Sequence, residues 1–461
     1  MFAVDKKIYS EIAIIVFIFI IARFLFLFFT PYAYYNEEAK IGSIGHDLVF
    51  EGGLKLPFWC YLDSPHSGGS LFSGLAAIPF YLILGDRYLA LKMTALFFSL
   101  LTVLLWFRLL AREIKADKLK VFYFLMLFSF ATPHYVQKSV ILAGNTVELM
   151  FFNILVILLF WKAIHDKRQA PANYLLLGIV CGFSLWVQFM SAYLILSLII
   201  FMLLAEGVRS SICSIFLIFA GAIIGALPLW IYNIQYDWPT LTANAIRVSF
   251  VPNLSKLKSL LFIDLPASFH FLDMGVIKSR YLGYIVFIMF CVAFLVHIIF
   301  AQNKKNISKE ERKYNLSLFL ILYLSVFIIF TAFSTAPVRS GENYGWNSMN
   351  IHAEYYIISI QPVIFALFYL LNKYRKNFIK TPFNVALSII FTFGFFSLFQ
   401  TRAFNHGLFR PMHCTNSNAY ECGFHFSVKP KMFLIFKEKM PEEYLEDYMK
   451  GQAERLHDTE F

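Results

Sequence analysis

Uninterrupted apolar runs constrain this chain more than any other feature. Stretches such as "IAIIVFIFIIARFLFLFF" (12–29) and "YIVFIMFCVAFLVHIIF" (284–300) fall in the range of roughly 17–25 residues that carries a helix through a hydrocarbon core. Composition agrees: 59% of the 461 residues are hydrophobic, 54 are Phe and only 15% are charged, against about 25% charged in a soluble domain. We expect an all-α polytopic membrane protein. The first run is too long and too aromatic for a signal peptide, and no small-residue cleavage site follows it. It therefore counts as the first span.

A net charge of +11 does not argue for a nucleic-acid partner, because the basic residues lie in short clusters between apolar runs and read as topology signals. Spans are expected near residues 10–30, 87–110, 119–133, 141–162, 173–189, 191–206, 212–233, 281–301, 314–334, 353–372 and 382–400. The stretch 69–85, "GSLFSGLAAIPFYLILG", is apolar but short and broken by Gly and Pro. If it lies in the interface, every basic cluster falls on one side: Lys6/Lys7, Arg108–Lys120, Lys162–Arg168, Arg209, Lys304–Lys313 and Lys373–Lys380. If it crosses, the later clusters face the wrong way. The expectation is eleven spans, with the N-terminus cytoplasmic and the C-terminus outside. Residues 1–400 then form a membrane module whose first outer loop is 31–86, followed by a polar extracytoplasmic tail, 401–461. No tandem repeat is visible. The six cysteines form no CxxC pair and no metal pattern. Cys414 and Cys422 would bond if the tail is extracytoplasmic, or remain two thiols.

The outer segments hold the polar chemistry. In "YYNEEAKIGSIGHDLVFEGG" (34–53), Asn36 suits a helix start and Glu37 and Glu38 suit its first turn. Ala39, Ile41, Ile44 and Leu48 give a patchy apolar stripe, with Lys40, Ser43 and Asp47 on a polar face. An interfacial amphipathic helix needs no more than this. Gly42 and Gly45 favour close packing against a neighbour. "ILAGNTVELMFF" (141–152) puts Asn145 and Glu148 at the outer end of a span, where a carboxylate must face protein or water. "PLWIYNIQYDWPT" (228–240) and "HAEYYIISIQPVIF" (352–365) add Trp, Tyr, Asp and Glu at similar depth. An aromatic belt explains their rings, but not the gathering of carboxylates on one side.

The order of these pieces resembles the GT-C superfamily of lipid-linked-sugar glycosyltransferases. The likeness is to the dolichyl-phosphate-mannose–protein mannosyltransferase type and its bacterial relatives, including lipopolysaccharide aminoarabinose transferases. It rests on "NEEAKIGSIGHDLVFEGG", "DSPHSGGSLFSGLAAIPFYLILGDRYLALKM" and "LLAREIKADKLK" in sequence, and on "AGNTVELMFF" and "EYYIISIQP". Glu37 stands where the family usually has Asp, "SPHSGG" replaces its His-Pro-Pro, and Glu354 precedes Tyr355 where many relatives carry Arg. The resemblance implies a GT-C-like bundle with interfacial helices in the first outer loop. It also implies transfer of a sugar, with inversion, from a polyprenyl-phosphate donor to an extracytoplasmic hydroxyl on a glycan, lipid or protein.

In that reading Glu37, alone or with Glu38, is the base. Glu148, with Asn145 beside it, orients the acceptor or a divalent ion. Lys92, Arg280 or Arg339 neutralises the phosphate. His66 is a further substrate-binding candidate, and His46 is a second histidine in the same loop. No cofactor is certain; Glu37, Glu38 and Glu148 could share a divalent cation. Membrane lipids are the other expected partners, and a bacterial inner membrane the expected location. The rival is a transporter or lipid flippase, which should carry ionisable residues or broken helices near mid-bilayer. Gln188 and His297 are lone polar exceptions there, and Gly182 and Gly225 the candidate breaks. A non-catalytic scaffold would leave the outer carboxylates unexplained.

Overall fold

The computed structural model describes residues 6–30, 36–62, 67–113, 118–142, 144–165, 170–242, 253–269, 284–289, 291–292, 315–333, 359–367 and 389–399. These residues are helical, with no strand among them. Among the described residues five helices are long and apolar enough to cross a membrane, and their apolar stretches are Tyr88–Ala111, Thr146–His165, Ala170–Val187, Val208–Gly225 and Leu316–Phe333. Three shorter apolar stretches, Ile12–Phe28, Gly69–Leu84 and Ser191–Glu206, accompany them. The expected spans 281–301, 353–372 and 382–400 are described only in part, and the whole tail 401–461 lies outside the described residues.

The chain opens with α1 (Lys6–Phe28) and α2 (Asn36–Phe50). Two short helices, α3 (Gly69–Ala76) and α4 (Ile78–Leu84), then lead into α5 (Tyr88–Arg108). The segment 69–85 is thus two pieces of eight and seven residues that meet at Ala77. Pro79 near the start of α4 supplies the break. The expected span 119–133 is shorter than anticipated: α6 (Lys118–Ser129) stops, and Pro133 opens a separate α7 (Pro133–Lys138). The long helix α8 (Thr146–His165) follows only after a left-handed pair, Gly144 and Asn145. Next come α9 (Ala170–Val187), α10 (Ser191–Glu206), α11 (Val208–Gly225) and α12 (Leu227–Gln235), the last opening on Pro228.

α8 packs against α5 and α9, α9 against α11, α10 against the helix Leu316–Phe333, and α1 against α5 and α6. Most buried apolar side chains form a large core that includes Phe98, Trp106, Phe128, Tyr135, Phe160 and Phe201, and a smaller cluster holds Ile44, Leu71, Val187 and Tyr232. Phe216, Phe219, Ile223 and Ile224 leave the outward side of α11 exposed, as suits a helix at the lipid boundary. α9 and α11 meet without intervening side chains. A Cβ on Gly178 or Gly182 would strike the Ile218 or Ala222 carbonyl, and one on Gly221 or Gly225 would strike that of Leu175 or Ile179. Two small-xxx-small patterns, "GIVCG" and "GAIIG", therefore interlock, and backbones approach closely where lipid offers no hydrophobic drive. Gly182 sits inside the continuous α9, and Gly225 closes α11 just before α12 begins.

Candidate functional site at one end of the bundle

The segment carrying α2, α3 and α4 folds onto the bundle because two helices without bulk at their crossing can touch. A Cβ on Gly45 would meet the Gly74 carbonyl, one on Gly74 the Ile41 carbonyl, and one on Gly42 the Tyr81 hydroxyl and Leu91. α2 thus lies in backbone contact with α3, and Tyr81 of α4 donates to the Gly42 carbonyl at 3.2 Å. The sequence pattern put Ser43 and Asp47 on a polar face, and both are buried. Leu48, expected on the apolar stripe, is 40% exposed. Neighbours enclose the polar side of α2, so its amphipathic pattern does not mark which face meets protein.

This docking carries Glu38 out of solvent altogether. Its carboxylate accepts a hydrogen bond from Lys92 Nζ of α5 and another, at 2.9 Å, from the Leu142 backbone amide. Glu38 and Lys92 are each 0% exposed. Burial pushes the Glu38 carboxyl above its ordinary pKa, opposed by Lys92, by the Leu142 amide and by Lys138. Lys138, on α7, is itself buried. Neither Lys138 nor the Leu142 amide was visible as a partner in the sequence, since both lie about a hundred residues away.

Glu148, in the first turn of α8, is fully buried and accepts from the Ser73 hydroxyl of α3. Asn145 holds the turn before it in a left-handed conformation (φ 54°), which Asn tolerates better than most residues. Its carbonyl accepts the Leu149 amide, and its side-chain Nδ2 donates to Ser67 Oγ at 2.6 Å. Ser67 Oγ in turn donates to the Val187 carbonyl, while the Gly68 amide donates to Trp186 O at 2.7 Å. Gln188 Nε2 closes the circuit on Gly144 O at 2.9 Å. The start of α3, the start of α8 and the end of α9 are thereby tied at one level. Gln188, read from sequence as a lone mid-span polar group, belongs to this tie.

A second buried group sits at the far end of α2. His46 lies between Asp47 (3.6 Å) and Asp86 (3.3 Å). Burial alone would lower its pKa, but Asp47 and Asp86 outweigh it and raise the imidazole to about 9. Asp47 also accepts from the Tyr61 hydroxyl, and that oxygen receives the Lys55 and Leu56 amides at 3.0 and 3.1 Å.

Arg23 of α1 anchors the segment carrying Leu142. It is wholly buried, a costly position in lipid unless paired. Its Nε donates to Ser139 Oγ (2.6 Å), and its Nη atoms donate to the Ser129 (3.0 Å) and Phe128 carbonyls at the end of α6. Its guanidinium lies 4.4 Å from the Phe19 ring centroid. A cation suits a helix C-terminus. The Arg inside "IIARFLFLFF" was the available signal.

Of the residues singled out from sequence, Glu38, Lys92, Asn145 and Glu148 come together at one end of the bundle, linked through 139–148. Glu37 lies in α2, but its side chain is outside the described residues, as are His66, Arg280 and Arg339. Among the described residues no three His, Cys, Asp or Glu side chains gather as metal ligands. Chemically, Glu38 is a carboxylate held by a cation and an amide, suited to positioning a helix. The exchange of a proton with a substrate asks for a carboxylate within hydrogen-bond reach of that substrate. Comparison of the chain with protein-family models, with curated proteins and with solved structures finds no match.

Proposed function

We propose that this chain is an integral membrane glycosyltransferase that moves a sugar from a polyprenyl-phosphate donor to an acceptor hydroxyl, with inversion. One observation carries the reading: α2 is folded onto the bundle so that Glu38, Lys92, Asn145 and Glu148 share one end. A lipid-borne phosphate sits at the membrane surface, and an enzyme acting on it needs its polar groups at that depth. The sequence resemblance to GT-C enzymes supplies the reaction type.

Glu38 is buried and already engaged by Lys92 and the Leu142 amide, so the base in this reading is its neighbour Glu37. The acceptor oxygen attacks the anomeric carbon from the face opposite the phosphate and gives its proton to Glu37. The carbon–oxygen bond to phosphate breaks, and the phosphate leaves with the electron pair. Glu38, fastened by Lys92 and Leu142, fixes where Glu37 stands. Asn145 and Glu148 shape the acceptor side. A positioned base contributes about 10²–10⁴-fold. Transfer from a polyprenyl-phosphate donor in membranes holding Glu37→Gln should therefore fall at least about a hundredfold at unchanged expression. Full activity in that variant would remove the base assignment.

A further inference from the structure

The turn that follows α12 is held in a conformation that a mere connection has no need of. Asp237 (φ 55°) and Trp238 (φ 58°) are consecutive left-handed residues, a region that bulky side chains avoid on steric grounds. Such conformations persist only where the surroundings over-determine them. Here Asn233 does so. Its backbone carbonyl receives the Trp238 amide at 2.8 Å, its side-chain Oδ1 receives the Thr240 amide at 3.2 Å, and its Nδ2 donates to the Leu229 carbonyl at 2.8 Å.

The result is an indole presented outward. Trp238 is 43% exposed and makes an edge contact with Trp230, their centroids 6.3 Å apart. Asp237 and Gln235 beside it are exposed too. Gln235 is fixed by Trp59, whose Nε1 donates to Gln235 Oε1 at 2.9 Å. Trp59 belongs to the same four-residue helix, Phe58–Tyr61, as Tyr61, which bonds Asp47 of α2. The turn is thus continuous with the site end of the bundle.

We propose that residues 235–238 form a carbohydrate-binding platform, on which a pyranose ring stacks against the Trp238 indole while its hydroxyls pair with Asp237 and Gln235. A pyranose offers a face of C–H bonds to an aromatic ring and a rim of hydroxyls to amides and carboxylates. Trp and a flanking acid-amide pair offer the complement. A headgroup anchor would need no strained backbone, and a carboxylate next to the ring disfavours anionic phosphates. The platform rests on the transferase reading and narrows it: the acceptor is a glycan.

The test uses the full chain in nanodiscs on an array of neutral and acidic oligosaccharides. Wild type should be retained by at least one of them. Trp238→Ala should weaken retention about tenfold or more, a factor that corresponds to one lost stacking contact, and Trp238→Phe should restore most of it. Asn233→Ala, which frees the turn without touching the ring, should weaken it as well. Three outcomes overturn the proposal: no oligosaccharide retained, equal retention by Trp238→Ala, or bromolipid quenching that disappears in Trp238→Phe and so puts the indole among lipids. Array binding that depends on Trp238 while Glu37→Gln keeps full transfer would sink the base assignment and leave the platform standing.

Discussion

Lys92 looks in the sequence like a cation waiting for a phosphate, and in the fold it already holds a carboxylate. Its partner Glu38 is 54 positions away, a separation no local pattern reports. The acids of "NEEAK" were legible as chemistry, but which of them is buried was not. Removing one member of a buried pair leaves the other charge uncompensated, at about 3–5 kcal/mol. Glu38→Gln and Lys92→Met should each lower stability by that order in detergent unfolding, and the double variant should cost clearly less than their sum. Simple additivity would mean the two side chains are not coupled. His46 makes a separate forecast. Its folded pKa of about 9 exceeds the unfolded value of roughly 6.5, so its stabilisation is complete below about pH 6.5 and is lost as pH rises towards 9. The thermal midpoint should fall across that window, and His46→Gln should flatten the fall. A slope unchanged in the variant would assign it to other groups.

Helices were easier to read than their ends. Apolar length located α1, α5, α8, α9, α10 and the helix Leu316–Phe333, because a hydrophobic run long enough to cross must close its own backbone bonds. The stretch 212–233 was read as a single span, whereas it is divided at Pro228, and the span expected at 119–133 stops at Ser129, short of Pro133. Pro lacks the amide that continuation needs, and hydropathy does not register that loss. The α9–α11 contact was equally hidden. Gly182 and Gly225 suggested breaks, and their main service is to let two backbones touch. Gly182→Leu or Gly225→Leu should overpack that crossing and cost about 1–3 kcal/mol each. Gly53→Ala, where a Cβ meets nothing, should leave the unfolding midpoint in place. Equal tolerance at all three positions would contradict the interlocked pair.

For the molecule as a whole, the alternation of helices brings the end of α1, the starts of α5 and α8 and the end of α9 to one side, and the polar groups collect there. Gly42 and Gly45 pointed in the sequence to close packing of α2 on a neighbour, and both lie at such contacts. The clasp that fastens α2, through Arg23, Ser139, Leu142 and Glu38, joins three distant stretches and exists only in three dimensions. The claim that matters most is that this end transfers a sugar. Its most direct test is the envelope glycan profile of a strain lacking the protein, complemented with wild type or with Glu37→Gln. The account predicts that one sugar substituent vanishes on deletion, returns with wild type and stays absent with Glu37→Gln. A profile unchanged by deletion, or fully restored by Glu37→Gln, would contradict it.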